Sequence, residues 1–330
     1  MTNGQQNGEP DVTIVVIGYN EAATLRACLE SAHAADLDGI PHELIYVDGG
    51  STDDSMRIAH TAGTDKILGG DRRRRAAENR NLGLRAARGQ YVQFVDGDMA
   101  MDPGWPRAAL AFLREHDEYA AVCGNLREAN QSPLFRALQL EWAPREGVIR
   151  HCGGAAMYRR DVLNEIGGFP EDVVYGEEPY LCWRIRNELG KKIYQINRLM
   201  ADHDLGFAGW RDFWKRQVRC GATYAEIAVR CYHSNDRLWF KEAIMNAAWF
   251  GAILVALAVL ITGPVPARWF VLIAALALFQ RKFSQTIRAG HPADVAAIYA
   301  LQTYYAKIPI AIGEIKWLIS RLSKPSRKSS

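Results

Sequence analysis

An α/β fold of the doubly wound kind, built on a mainly parallel sheet, is what the first two thirds of this sequence predict. Three observations carry that expectation: strand-like and helix-like stretches alternate, the strand-like runs are apolar on both faces, and acidic residues fall where the strands end. "VTIVVI" (12–17) is a continuous β-branched run, as expected of a strand covered on both sides, and it stops at "GYNEA". A helix follows with Leu25, Cys28, Leu29 and Ala32 on one face, and "ELIYVD" (43–48) closes a βαβ unit. "GSTDDS" then sets Ser51 and Asp54 at capping-box spacing, which predicts a second helix running to Gly63. A third helical stretch over 74–87 leads into "QYVQFVDGDM" (90–99), a strand that ends on Asp96 and Asp98 with one glycine between them.

Asp-Gly-Asp alone is ordinary turn chemistry. Ligands of doubly wound sheets, however, bind beyond the carboxyl ends of the strands, and Asp48, Asp96 and Asp98 all lie at such ends. Carboxylates converging on one rim repel each other unless a positive group sits among them. A divalent cation, Mg²⁺ or Mn²⁺, is the simplest candidate, because such ions take a few carboxylates and keep positions open for phosphate oxygens.

Composition narrows the function class. A chain of 330 residues with 48% hydrophobic content builds a sizeable core, which excludes a disordered protein. A net charge of +3 is too mild to argue for nucleic acid. Basic residues do concentrate at 72–75, 211–219, 281–288 and 321–328, which points to anionic partners, phosphates or lipid head groups. The six cysteines are far apart with no CxxC pair and read as small buried hydrophobes in a reducing compartment. Residues 1–11 are polar, lack the apolar core of a signal peptide and are expected to be disordered.

The last third reads differently. "AIMNAAWFGAILVALAVLIT" (243–262) carries no charge and is long enough to cross a bilayer as a helix. After "GPVP", a short apolar helix over 266–280 either spans with help from a snorkelling Arg268 or stays re-entrant. Ile298, Leu301, Tyr305, Ile308, Ile312, Ile315 and Ile319 recur at helical spacing, predicting an amphipathic helix over 293–320 kinked at Pro309. Such a helix either packs on the soluble domain or lies in the membrane interface. Arg281, Lys282, Arg288, Lys324, Arg327 and Lys328 put these flanks in the cytoplasm by the positive-inside rule. The expectation is therefore a multi-pass inner-membrane protein with a cytoplasmic catalytic domain at 12–232 and a membrane region at 233–330.

Five segments in consistent order, "VVIGYNEA", "VDGGSTDDS", "ENRNLGLRAARGQYVQFVDGDM", "GGAAMYRRDVLNEIGGFPED" and "GEEPYLCWRIR", resemble the inverting family-2 glycosyltransferases over about residues 12–225. The resemblance implies the A-type glycosyltransferase fold, a UDP- or GDP-sugar donor, a divalent metal and an acceptor hydroxyl, in the setting of envelope polysaccharide synthesis. By the same resemblance Asp98 ligates the metal, Asp96 faces the ribose or the metal, and Asp48 and Arg80 lie at the nucleotide. Tyr19, Asn20 and Glu21 belong to the nucleoside pocket. Glu178 corresponds to the catalytic base, with Glu177 supporting it, although two acids there would equally suit the start of a helix over 179–189. His203 in "ADHDLG", following a strand at 191–196, is either structural or completes the metal shell; Asp202 and Asp204 are weaker candidates. Arg216 and Arg219 in "WRDFWKRQVRCGATY" either belong to a surface helix or neutralise a diphosphate or lipid phosphate. "RRRR" (72–75) is either a solvated helix start or a phosphate contact.

Departures from the family pattern also matter. Gly49 stands where members often carry a second Asp used on the nucleobase, and Glu178 stands where Asp is common. The Gln-x-x-Arg-Trp element of processive relatives is absent, since Gln217 is followed by Cys220 and Gly221, which implies one sugar transferred per encounter. The expected acceptor is a lipid-linked polyprenyl phosphate or diphosphate, or a glycan. Competing readings are a nucleotidyltransferase, which would need a Gly-rich loop after the first strand, and a silent membrane scaffold, which has no need of Asp96, Asp98 and Glu178 together.

Overall fold

The computed structural model describes residues 9–142, 144–206 and 209–323; the expectations for residues 1–8 and for Lys324, Arg327 and Lys328 lie outside them. The chain divides into two compact units. The first takes residues up to 129 with 142–173 and 177–206, and the second takes 130–141, 174–176 and the chain from 207 onward.

The first unit is organised by a nine-stranded sheet. Val12–Gly18 (β1), His42–Asp48 (β2), Lys66–Gly69 (β3), Tyr91–Asp96 (β4), Met99–Met101 (β5), Tyr119–Glu128 (β6), Gly147–Ile149 (β7), Ala156–Arg159 (β8) and Lys192–His203 (β9) follow in chain order. Spatially they run β3-β2-β1-β4-β8-β6-β9-β5, with β7 paired to β9. β1 is buried along its whole length and pairs in parallel with β2 and β4, Val12 opposite His42 on one side and Tyr91 on the other. That double cover is why "VTIVVI" shows no alternation. The parallel half matches the doubly wound expectation, while β8 and β5 add antiparallel pairs on β4 and β9.

Leu25–His33 (α1), Ser55–Thr61 (α2) and Ala76–Ala86 (α3) supply the helices between these strands. The expected capping box of α2 does not form: Asp54 takes the N-cap place without a side-chain bond. Asp53 does the work instead, its Oδ1 accepting from the Ser55 amide at 3.0 Å and hydroxyl at 2.6 Å. Ser51 is drawn elsewhere, because its hydroxyl accepts from the Asn20 amide at 2.9 Å. Trp105–Glu115 (α4), Arg160–Glu165 (α6) and Glu177–Glu188 (α7) complete the layers, with Pro133–Gln139 (α5) belonging to the second unit. Beneath β4, Phe94 meets Phe169 and Tyr158 edge-on at centroid distances of 5.1 and 6.0 Å, and the Trp105 indole donates to Gln93 at 2.9 Å. The strand that ends in Asp96 is thus held by close aromatic packing.

The second unit is helical: α5, Trp210–Arg230 (α8), Phe240–Thr262 (α9), Val265–Arg288 (α10), Ala293–Tyr305 (α11) and Lys307–Leu322 (α12). α8 groups with these helices in the second unit. α9 is the one helix among the described residues long and apolar enough to cross a membrane, with mean hydropathy 2.3. α10 is longer than the 266–280 segment, running unbroken through Arg281 and Lys282. Arg268 does not extend outward to snorkel; it turns back to donate to the carbonyls of Gly263 at 2.8 Å and Ile261 at 3.2 Å, satisfying the end of α9.

The amphipathic 293–320 segment is two helices meeting at Ala306, which leaves Pro309 in the first turn of α12, where its missing N–H costs nothing. Its buried face is also not the aliphatic stripe. α12 buries Pro309, Ile310, Ala311, Gly313 and Glu314, while Leu301, Ile315 and Ile319 stay exposed. The contact is with α8 and depends on glycines: a Cβ on Gly221 would fall 1.9 Å from the Ile310 carbonyl, and one on Gly313 would fall 2.0 Å from that of Val218. A buried polar chain ties α9 to α12, Lys307 donating to Asn246 at 3.0 Å and Asn246 to Glu314 at 3.1 Å.

Candidate active site

Parallel pairing of β1, β2 and β4 aligns their carboxyl ends and carries Gly18, Asp48 and Asp96 to one edge. Arg80 is the centre of what gathers there. It lies on the buried face of α3, is 2% exposed, and its guanidinium reaches Asp96 at 2.8 Å, Glu177 at 3.1 Å and Glu178 at 3.0 Å. Space for it comes from Gly154, where a Cβ would sit 1.9 Å from Arg80 Nη2 and 3.0 Å from Asp96 Oδ2. One cation therefore fixes three acids that come from two separate segments of sequence, the end of β4 and the start of α7. Arg80, expected at the nucleotide, is buried among these carboxylates.

α7 begins at Glu177, two residues earlier than expected, so both acids stand in its first turn, where the helix dipole favours negative charge. Burial nevertheless pushes the Glu178 carboxyl up to about 7, with Glu177 adding to the rise and Arg80 opposing it. A carboxyl that titrates near neutrality beside a fixed cation is suited to taking and giving a proton.

The second cluster is made by the antiparallel pairing of β5 with β9, which sets Met99 opposite His203. His203 is the last residue of a twelve-residue strand rather than part of a loop after it. Its Nε2 lies 3.4 Å from Asp98 Oδ2, and its ring tilts against Trp142 at a centroid distance of 5.7 Å. Burial works against its protonation, but Asp98, Asp96 and Glu128 outweigh that and hold its pKa above the ordinary value. Asp98 Oδ1 and His203 Nδ1 are both buried without a hydrogen-bond partner. Glu21 belongs to the same acidic field, since burial, Asp98, Asp96 and Asp53 together push it up to about 7.

Among the described residues no three His, Cys, Asp or Glu side chains form a ready-made metal cage. The donors do fit a divalent ion that draws its other ligands from phosphate and water: an orphaned carboxylate oxygen, an orphaned imidazole nitrogen and an excess of negative charge. Asp98 and His203 stand together; Asp96, grouped with them by sequence, has one oxygen committed to Arg80.

The remaining sequence candidates separate. Asp48 is fully buried, with Oδ1 accepting from the Tyr46 hydroxyl at 3.0 Å and Oδ2 from the amides of Gly50 and Ser51 at 2.8 and 2.7 Å. It shapes the loop rather than facing outward. Asn20, in the left-handed region at φ 57°, accepts from the Thr52 amide at 2.8 Å and pins the same loop. Tyr19 keeps an exposed ring, and the Arg73 guanidinium lies 3.5 Å from its centroid. Arg72 and Arg74 pair with Glu78 and Asp71, so within the basic run it is Arg73 that meets an aromatic face. Arg127 takes Asp202. Arg216 and Arg219 lie on α8, in the second unit. Gly154 was not singled out from sequence, although "GGAAMYRR" marks a place where backbone must approach something closely.

Residues 13–167 match the family Glycosyl transferase family 2. The chain is 28% identical over 189 residues to an uncharacterized protein of Mycobacterium tuberculosis, covering 50% of this chain and 58% of that one, so it spans little more than half of that relative's length. It is 24% identical over 253 residues to the glycosyltransferase AglE of Haloferax volcanii, covering 73% of this chain and 80% of the relative. In fold it is similar to the mannosyltransferase PcManGT from Pyrobaculum calidifontis, solved with GDP-Man and Mn²⁺, at TM-score 0.68 and 19% identity over 96% of this chain and 89% of that one.

Proposed function

With residues 13–167 matching glycosyl transferase family 2, we propose that the protein moves one sugar from a UDP- or GDP-sugar to a hydroxyl of a membrane-borne, lipid-linked acceptor, with inversion at the anomeric carbon. The observation that carries this reading is the Arg80 hub, which holds the proton-accepting Glu178 and the strand-end Asp96 to one guanidinium.

Glu178 takes the acceptor's proton as the acceptor oxygen bonds to the anomeric carbon, and the bond from that carbon to the nucleoside diphosphate breaks on the opposite face. Glu177 and Arg80 position Glu178, and Arg80 keeps the carboxylates from repelling one another. Tyr19 offers an aromatic face to the nucleobase, and Asp48 and Asn20 hold the loop beside it. Asp98 and His203 are the residues that would hold a divalent ion, Mn²⁺ or Mg²⁺, whose charge would stabilise the departing diphosphate. Arg216 and Arg219 are assigned to anionic lipid or phosphate groups.

Support for a membrane acceptor comes from α9, with its mean hydropathy of 2.3, and from the exposed aliphatic residues of α10 and α12. A second crossing by α10, with both flanks in the cytoplasm, is part of this reading. The protein purified with its helices, given a panel of UDP- and GDP-sugars and Mn²⁺, should add a single sugar to a hydroxyl of a polyprenyl-diphosphate-linked sugar, read by mass spectrometry. Transfer only to a soluble glycan would remove the lipid acceptor, and absence of transfer or hydrolysis with every donor would remove the enzyme reading.

A further inference from the structure

Gly49 leaves space beside Tyr19, and another residue has filled it. A Cβ on Gly49 would lie 2.8 Å from the side-chain nitrogen of Asn79 and 3.2 Å from Cβ of Tyr19. The Asn79 amide, one residue before the Arg80 hub on α3, therefore stands where a side chain at position 49 would project. It is 3% exposed, and its Oδ1 is buried with no hydrogen-bond partner. A buried amide oxygen left unpaired is costly, and a packed α/β domain tolerates it where the group has a further use.

The cover over this corner is also unusual. The Arg73 guanidinium carbon lies over the Tyr19 ring, 3.5 Å from its centre, and Arg73 donates to the Gly49 carbonyl at 3.4 Å. Tyr19 thus takes a planar, polar group on its ring, and the amide that fills the place of a side chain at 49, near the Tyr19 Cβ, carries both an acceptor and donors. The matching edge on a nucleobase is a lactam, an N–H adjacent to a C=O, which uracil and guanine carry and cytosine and adenine do not.

Building on the proposed nucleotide-sugar activity, we infer that Asn79 is the residue that selects the nucleobase, its amide pairing with the lactam edge of a uracil or guanine stacked on Tyr19 in place of Arg73. Gly49 and Asn79 then act as a pair: the absence of a side chain at 49 admits the amide from α3, a group that both accepts and donates.

The test is calorimetric titration of the full chain, with Mn²⁺, against UDP, GDP, CDP and ADP, for the wild type, Asn79→Ala and Asn79→Asp. The wild type should prefer UDP or GDP. Asn79→Ala should weaken that preferred ligand by about 10-fold or more and leave CDP and ADP nearly unchanged, in line with a bidentate base contact. Asn79→Asp, which accepts but cannot donate, should shift preference toward GDP, whose guanine offers two adjacent N–H donors. A purely structural role for Asn79 would lower the melting temperature and all four affinities together, and would overturn the assignment. So would a wild-type preference for CDP or ADP, or an unchanged preference in both variants while binding persists. A wild type that binds none of the four overturns the glycosyltransferase reading itself, and the assignment with it.

Discussion

Arg80 Nη1 and Glu178 Oε1 stand 3.0 Å apart, and the same guanidinium reaches Glu177 and Asp96. The central cation is almost wholly removed from solvent, so each contact is far stronger than a surface pair and depends on the others.

Removing that charge should be severe. Arg80→Ala leaves three acids facing one another in a partly buried site and should cost about 3–5 kcal/mol of stability, read by thermal unfolding. Arg80→Lys restores charge but not the planar fork, so it should recover only part of the loss. A melting temperature unchanged in Arg80→Ala would mean the cluster is not held as described.

Gly154→Ala should act on the same hub from the other side. Its Cβ would fall 1.9 Å from Arg80 Nη2, so the arginine must move or the backbone must shift, at about 1–3 kcal/mol. The informative result is a fall in turnover larger than the fall in nucleotide affinity, because the displaced group holds the base and not the donor.

pH dependence follows from the upward shift of Glu178, caused first by burial and then by Glu177. Below about 7 the carboxyl is protonated and cannot accept a proton, so kcat should rise with pH through that region and level off above it. Glu178→Gln should lose that limb; a limb that survives the substitution belongs to another group.

Metal binding has a readout apart from activity. Mn²⁺ with a nucleoside diphosphate should raise the melting temperature, by about 2.7 kcal/mol in free-energy terms at a hundredfold excess over Kd, and Asp98→Ala or His203→Ala should remove most of the Mn²⁺-dependent part. Equal stabilisation in the variants would place the ion elsewhere.

In the helical unit, Asn246 bridges Lys307 and Glu314. Asn246→Val should strand both charged partners and lower stability by about 1–3 kcal/mol, visible as earlier melting in detergent. If instead the variant melts later, the chain is a tolerated relic and not a tie between α9 and α12.

Much of this was legible in the sequence where local pattern and tertiary role coincide. The β1 run, the strand end at Asp96 and the apolar α9 each announce themselves by composition, because burial on both faces or in lipid leaves no polar alternation to confuse them. Roles set by distant partners were not legible. Arg80 reads as a basic helix residue until the segment before β8 brings Gly154, and α7 brings Glu177 and Glu178, to its guanidinium, Glu177 from 97 residues away in sequence. The extra length of β9 was hidden because its later half pairs with β6 and the short β5, so charged residues such as Arg198 and Asp202 sit within a strand. In α12 the hydrophobic stripe pointed to the wrong buried face. Gly313 and Gly221 allow backbone contact that no count of apolar residues registers, which frees Ile315 and Ile319 to face outward.

The most direct measurement compares wild type with Glu178→Gln for turnover and, separately, for nucleoside diphosphate affinity. The account predicts affinity within a few-fold of wild type and kcat lower by about 10²–10⁴-fold. Turnover that survives the substitution, or affinity that collapses with it, would contradict the assignment of Glu178 as the residue that takes the acceptor's proton.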